Sequence, residues 1–214
     1  MSDIYQERQL EAIASRWDAK ANTWESELKD PACHLNEDAA YERFLGQAGS
    51  AIKERSAFCA THGLIDAGCG TGLVLAGVIS SFAWGMGVDL SPGMLRLAGQ
   101  KRIPRTTFVQ GDCFRLKELC PPAGAVLSRG VLLSHYGLAQ GEALLRSAKA
   151  VLAPGGFILF DFLNAAAERR YTHAVGNKTY FAGSEISYLA RHAGFGTATV
   201  LGEAERRVLL LLAE

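Results

Sequence analysis

Leu64-Ile65-Asp66-Ala67-Gly68-Cys69-Gly70-Thr71-Gly72 is a short apolar run closed by alternating glycines, and the apolar segment Leu73-Val74-Leu75-Ala76 follows it directly. This composition favours a buried strand, a tight turn and a helix. Glycine tolerates positive φ and lets a ligand approach the backbone closely, and a helix start presents free N–H groups and a positive dipole end. The spacing is G-x-G-x-G. A G-x-G-x-x-G dinucleotide fingerprint would need a third glycine where this chain has Leu73. Asp66 stands just before the turn, where its carboxylate would repel a pyrophosphate and attract an amine. An amino-acid moiety, with an ammonium and a carboxylate, fits this combination.

Downstream, Gly87-Val88-Asp89-Leu90-Ser91-Pro92 places Asp89 at the end of a second apolar run. In a doubly wound sheet that position borders the ligand crevice at the carboxyl ends of the strands. A carboxylate there can accept both hydroxyls of a ribose. Ser91-Pro92 already supplies a helix cap with proline at the first helical position, so Asp89 is not needed as one. Gln110-Gly111-Asp112-Cys113-Phe114 ends a third run. Asp112 is placed there to accept from the exocyclic amine of a purine.

The wider pattern is strand–helix alternation from Gly63 onward. Apolar runs at Leu64–Ala67, Ala83–Leu90, Thr107–Gln110, Ala125–Ser128 and Phe157–Phe162 are separated by helical spacings. The clearest helices are Leu144, Leu145, Ala148, Val151 and Leu152, stopped by Pro154, and Ile186, Leu189, Ala190 and Ala193, stopped by Gly194. Runs that are apolar throughout suit strands buried on both faces. The expected fold is α/β, a Rossmann-like, doubly wound, mostly parallel sheet. At the end, Phe195–Leu201 and Arg206–Leu212 leave no room for a helix between them and predict an antiparallel hairpin. Val208–Leu212 is apolar at every position, so this last strand belongs inside the sheet.

Residues 1–60 read differently. Leu10, Ile13 and Trp17 share one helical face, and Tyr41, Phe44, Leu45, Ala48 and Ile52 form a second stripe. Thr23–Asp38 between them is polar and broken by Pro31. The expected division is a helical lid over 1–60 and a core over 61–214.

Taken in order, the three motifs resemble the class I S-adenosylmethionine (SAM)-dependent methyltransferases, small-molecule type. The resemblance extends through Val151-Leu152-Ala153-Pro154-Gly155-Gly156, similar to the family's helix-to-strand turn, and through the terminal hairpin, which in the family sets a seventh strand antiparallel between the fifth and sixth. It implies a seven-stranded sheet and SAM as cofactor. It assigns Asp66, Gly68, Cys69, Gly70 and Gly72 to the methionine part of SAM, Asp89 to the ribose, Leu90 to a face of the adenine, and Asp112 and Cys113 to the adenine edge. Arg129 stands where the family makes a backbone contact to the methionine ammonium. Arg16-Trp17-Asp18-Ala19-Lys20-Ala21-Asn22-Thr23-Trp24 resembles the lid entrance, with Trp24 touching the cofactor.

For the methyl acceptor, the expected contributors are the lid, Ser128–Tyr136 and the segment Asn164–Gly183, which carries Arg169, Arg170, Tyr171, His173, Tyr180 and Phe181. His135 is the expected general base, with Tyr136 aiding the acceptor, because an imidazole titrates near neutral pH. The 22 Lys and Arg balance the 22 Asp and Glu, which gives no bulk attraction for nucleic acid or a membrane surface. A small-molecule acceptor is therefore expected, with no nucleic-acid or membrane partner, in a monomer or homodimer. The five cysteines form no C-x-x-C pair, so no metal site is expected. The charged amino terminus has no signal-peptide core, and a cytoplasmic protein is expected. The alternatives are a SAM-binding regulator or subunit without catalysis and, third, a nicotinamide-dependent dehydrogenase.

Overall fold

The computed structural model describes residues 3–30, 39–130, 137–167, 179–201 and 207–213. Strands β1 (Gly63–Ala67), β2 (Trp84–Asp89), β3 (Thr106–Gln110), β4 (Ala123–Ser128) and β5 (Leu152–Asn164) form a parallel sheet. A two-residue β6 (Tyr180–Phe181) pairs with the end of β5, and β7 (Thr197–Leu201) and β8 (Arg207–Ala213) complete the sheet. Seven strands run in the order β3-β2-β1-β4-β5-β8-β7, with β6 off that path. β8 is antiparallel to both neighbours, so the apolar terminal run is indeed interior. The expected seven strands are all present, and β6 is an eighth.

Alternation along the strands divides the core into two. Ile65, Val126, Ile158 and Phe160 pack with Leu144 and Leu145 of α8 (Leu138–Lys149) and with Ile186 and Leu189 of α9 (Gly183–His192). Leu64, Leu127, Phe157 and Leu159 pack on the other face with Phe44, Ala48 and Ile52 of α3 (Ala40–Glu54) and with Val74 and Leu75 of α5 (Leu73–Val78). α4 (Ser56–Thr61), α6 (Pro92–Gln100) and the single-turn α7 (Leu116–Leu119) fill the remaining crossings. At the amino terminus lie α1 (Asp3–Lys20) and α2 (Trp24–Lys29). No described helix is long and apolar enough to cross a membrane.

Three local expectations are corrected. α8 ends at Lys149; Val151 lies in the turn before β5, where its carbonyl accepts the Ala123 N–H at 2.8 Å, and Leu152 opens the strand. The turn over 153–156 lies inside β5 as a bulge, where pairing jumps from Ala123↔Leu152 to Ala125↔Phe157. A Cβ on Gly156 there would stand 2.8 Å from the Ala153 carbonyl oxygen. Within the polar stretch 23–38, residues Trp24–Lys29 are helical.

Candidate functional site

β1 delivers the chain to a turn in which Gly68, Gly70 and Gly72 all adopt positive φ, at 74°, 51° and 78°. The N–H groups of Gly68 and Cys69 both donate to the Val88 carbonyl, at 2.8 and 3.1 Å, which folds the turn over the end of β2. A Cβ on Gly70 would find only Met94 Sδ and Trp24 Nε1, each 3.9 Å away. The turn therefore leaves a cradle bounded by the Trp24 indole. α5 is six residues long, a short dipole, so charge recognition here falls mainly to side chains.

Those side chains are carboxylates. Asp66 is 1% exposed and neither carboxylate oxygen has a hydrogen-bond partner. Burial, and then the charge of Asp89, push its pKa up to about 8. An unpartnered buried carboxylate is costly, and a cation in the cradle would relieve it. Asp89 is also buried, which raises its pKa, but backbone N–H groups oppose the rise. Gly70 N–H donates to its Oδ2 at 2.8 Å and Ser91 N–H to its Oδ1 at 2.9 Å. Each oxygen takes one of these donors and retains capacity for a hydroxyl. Ser91 itself caps α6, accepting the Met94 N–H at 3.1 Å, as its sequence position suggested. Asp112 is half-buried, and that burial raises its pKa; its Oδ1 accepts the Phe114 N–H at 3.0 Å.

The cysteines beside these acids face inward. Cys69 packs with Leu64 and Val74, and Cys113 with Ile65 and Val88. Burial holds both thiols well above their ordinary pKa. What these two positions can present to a ligand is backbone. Leu90 is partly exposed beside Asp89, and its carbonyl accepts from Gln110 Nε2 at 3.2 Å.

The amino-terminal helices close over the cradle. Trp24 stands edge-on to Trp17, ring centroids 5.2 Å apart. Asp18 Oδ1 accepts from the Gly93 N–H at 2.8 Å and from the Ser91 hydroxyl. Lys101 bridges Glu25 of α2 and the Thr71 carbonyl of the glycine turn. Arg129, at the end of β4, is 8% exposed, and its guanidinium carbon lies 5.5 Å from the centre of the Tyr41 ring. Gly130 N–H donates to Asp161 of β5.

The structure thus gathers Asp66, the glycine turn, Asp89, Leu90, Asp112, Cys113 and Arg129 at the carboxyl ends of the parallel strands, with Trp24 against them. His135 and Tyr136 lie outside the described residues, as do Arg169, Arg170, Tyr171 and His173. Phe181 packs in the core with Ile186 and Leu189. Asp18, Tyr41 and Lys101 carry no sequence signal of their role here. Tyr41 reads as one more apolar position in a stripe, and the other two act on partners far along the chain.

A methyltransferase-domain family model matches residues 64–156. The chain is 25% identical over 166 residues, 70% of its length, to a ubiquinone biosynthesis O-methyltransferase of Chromobacterium violaceum, of which it covers 71%. The magnesium protoporphyrin IX methyltransferase of Synechocystis, solved with bound S-adenosylhomocysteine, superposes with a TM-score of 0.74 at 14% identity, covering 95% of this chain and 98% of that one. A SAM-bound amino pentose methyltransferase from Micromonospora echinaspora superposes with a TM-score of 0.63 at 21% identity, over 86% and 98% of the two chains. These solved structures share the fold.

Proposed function

We propose that the chain is a class I SAM-dependent methyltransferase that methylates an N or O atom of a small molecule, with the cradle at the glycine turn as the SAM site; the methyltransferase-domain match over residues 64–156 and the similarity to an O-methyltransferase support this reading. The observation that carries this is Asp66: a fully buried carboxylate at a glycine cradle, with both oxygens unpartnered. The methionine ammonium of SAM supplies the missing cation. Asp89 takes the ribose hydroxyls on its remaining lone pairs, and Leu90 packs on the adenine. Asp112 and the backbone of Cys113 meet the adenine edge, and Trp24 covers the cofactor.

Bound SAM supplies a methyl group on a sulfonium sulfur, already activated by its charge. The chain's own task is then alignment and water exclusion, effects worth several kcal/mol. α1 and α2 form the cover, fastened by Asp18 and by the Glu25–Lys101–Thr71 bridge. α3 shares the core with β1 and β4, so within 1–60 the covering role is assigned to residues 3–30. The names of the similar proteins, a ubiquinone biosynthesis O-methyltransferase, a magnesium protoporphyrin IX methyltransferase and an amino pentose methyltransferase, support a small acceptor. The balanced net charge supports the absence of nucleic acid. His135 is the proposed base and Tyr136 the proposed acceptor contact.

Calorimetric titration with SAM and NAD, followed by labelled SAM with a fractionated metabolite pool, tests the reading. SAM binding and acceptor-dependent S-adenosylhomocysteine formation are expected. NAD binding without SAM binding would overturn it.

A further inference from the structure

Two surface features meet on the helical layer that lies across the sheet from α3. Among the described residues, Leu138 and Tyr188 are the large apolar side chains left exposed, at 46% and 52%. Both border one groove of about 350 Å³ between α8 and α9, which Ala139, Glu142 and Glu185 also line. The core does not use them. α8 sends Leu144 and Leu145 inward and α9 sends Ile186 and Leu189, which leaves Leu138 and Tyr188 on the outer side. Tyr188 is also held in place, its ring against that of His192 with centroids 4.2 Å apart. An exposed aromatic side chain that is already ordered loses little conformational entropy when a partner covers it.

Charge is polarised along the same face. α8 and α9 run side by side in one direction: Glu142 and Glu185 share the groove, while Arg146 and Lys149 donate to the carbonyls of His192 and Gly194. Acidic side chains therefore mark the amino-terminal end, and Arg146, Lys149 and Arg191 the carboxyl-terminal end. On α9, Glu185, Tyr188 and Arg191 recur at every third residue on one helix face, and all are exposed. Such a face is complementary to itself turned half round, with acidic end on basic end and the aromatic ring near the axis. The 22 basic and 22 acidic residues add no net repulsion between copies. We propose that this α8–α9 face docks a second copy of the chain in an isologous, antiparallel dimer. Tyr188 lies at its centre, Leu138 is covered, and Glu185 of each copy pairs with Arg191 of the other. The dimer is independent of the SAM reading above.

Sedimentation velocity on the full chain, across a concentration series, reads the mass directly. Wild type should pass from one chain of 23.0 kDa to two and no further, because an isologous contact closes at the dimer. Tyr188→Lys and Leu138→Lys, both at exposed positions, should keep the wild-type circular dichroism and weaken dimerisation by about tenfold or more. Glu185→Arg and Arg191→Glu should each be monomeric alone, since like charges then face each other across the two-fold axis. Mixed in equal amounts they should form a heterodimer, because every facing pair is again of opposite charge. A helix that is merely destabilised would give no such rescue. Should Glu185→Arg fail to fold through loss of its bond from the Ala182 N–H, Arg191→Glu and the two lysine variants decide. A wild type that stays monomeric up to about 1 mM, near the weak limit of specific association, overturns the proposal and leaves the groove to a small molecule or another protein. So do oligomers larger than two, a dimer that both lysine variants leave intact, and a folded charge-variant mixture that stays monomeric.

Discussion

At the scale of one residue, the proposed pairing of Asp66 with the SAM ammonium predicts pH-dependent cofactor binding. Its pKa stands near 8 in the fold, against an ordinary value of 3.8. Between those values the folded protein holds a proton that the unfolded chain releases. Its contribution to stability is therefore complete below the unfolded value and is lost as pH rises through the folded one. A bound ammonium reverses the preference and expels the proton. SAM affinity should then rise by up to about tenfold per pH unit from pH 6 towards 8. Titrations in two buffers of different ionisation enthalpy should show proton release, and Asp66→Asn should abolish both effects. Equal affinity at pH 6 and 8, with heats independent of buffer, would refute the linkage. Asp89→Ala should weaken SAM binding about tenfold or more through the lost ribose acceptor. It should also cost about 1–3 kcal/mol of stability, since the Gly70 and Ser91 N–H groups lose their acceptor. Chemical denaturation beside calorimetry separates the two, and an unchanged dissociation constant would reduce Asp89 to a turn residue. The acids and glycines of this site were legible because each sits in a contiguous strand-to-turn motif. Tyr41 and Asp18 were not, because helical periodicity reports burial and says nothing of partners on other elements.

At the scale of elements, the proposed cover, α1 and α2, and the core differ in how they are held. α3 sends Phe44, Ala48 and Ile52 into the core, and its stripe was plain in the sequence. Among the described residues, α1, α2 and the turn between them bury chiefly Ala21 and Leu28 and otherwise rely on polar links to α6 and the glycine turn. Such links contribute little to stability at an exposed site, yet they decide where Trp24 sits. Removing residues 1–30 should leave a cooperatively folding protein that has lost turnover and binds SAM more weakly. A truncated chain with full activity would exclude the covering role. Asp18→Ala, the smaller step, should weaken SAM binding several-fold while costing about 1 kcal/mol, as loss of a helix cap does. The helix over Trp24–Lys29 was hidden because its sequence is mostly polar and shows no stripe. Val151 and Leu152 misled in the opposite sense, because an apolar pair beside a helix end also fits a turn and the opening of a strand.

For the whole molecule, the order β3-β2-β1-β4-β5-β8-β7 sets β1 and β4 side by side at the centre of the sheet. Their carboxyl ends carry the cradle and Arg129, so the proposed cofactor half of the site rests on the most buried strands. Strand–helix alternation made the parallel sheet readable and the apolar run Val208–Leu212 made the last strand interior, whereas its place between β5 and β7 came from the family resemblance. The proposed acceptor roles of His135, Tyr136 and the 168–178 segment rest on chain order alone, since these residues follow β4 and β5 in sequence. A ligand that binds only the folded state stabilises it, by about 2.7 kcal/mol at one hundred times its dissociation constant. For a chain of this size, that corresponds to a rise in Tm on the order of 5–10 °C. SAM and S-adenosylhomocysteine, which share the amino-acid moiety and ribose, should both produce it. NAD should not, because Leu73 stands where the dinucleotide turn requires glycine and Asp66 opposes a pyrophosphate. Thermal melts with each ligand at matched concentration measure the difference directly. A shift with NAD equal to that with SAM would mean that the turn accepts a pyrophosphate, and the charge argument built on Asp66 would fall with it.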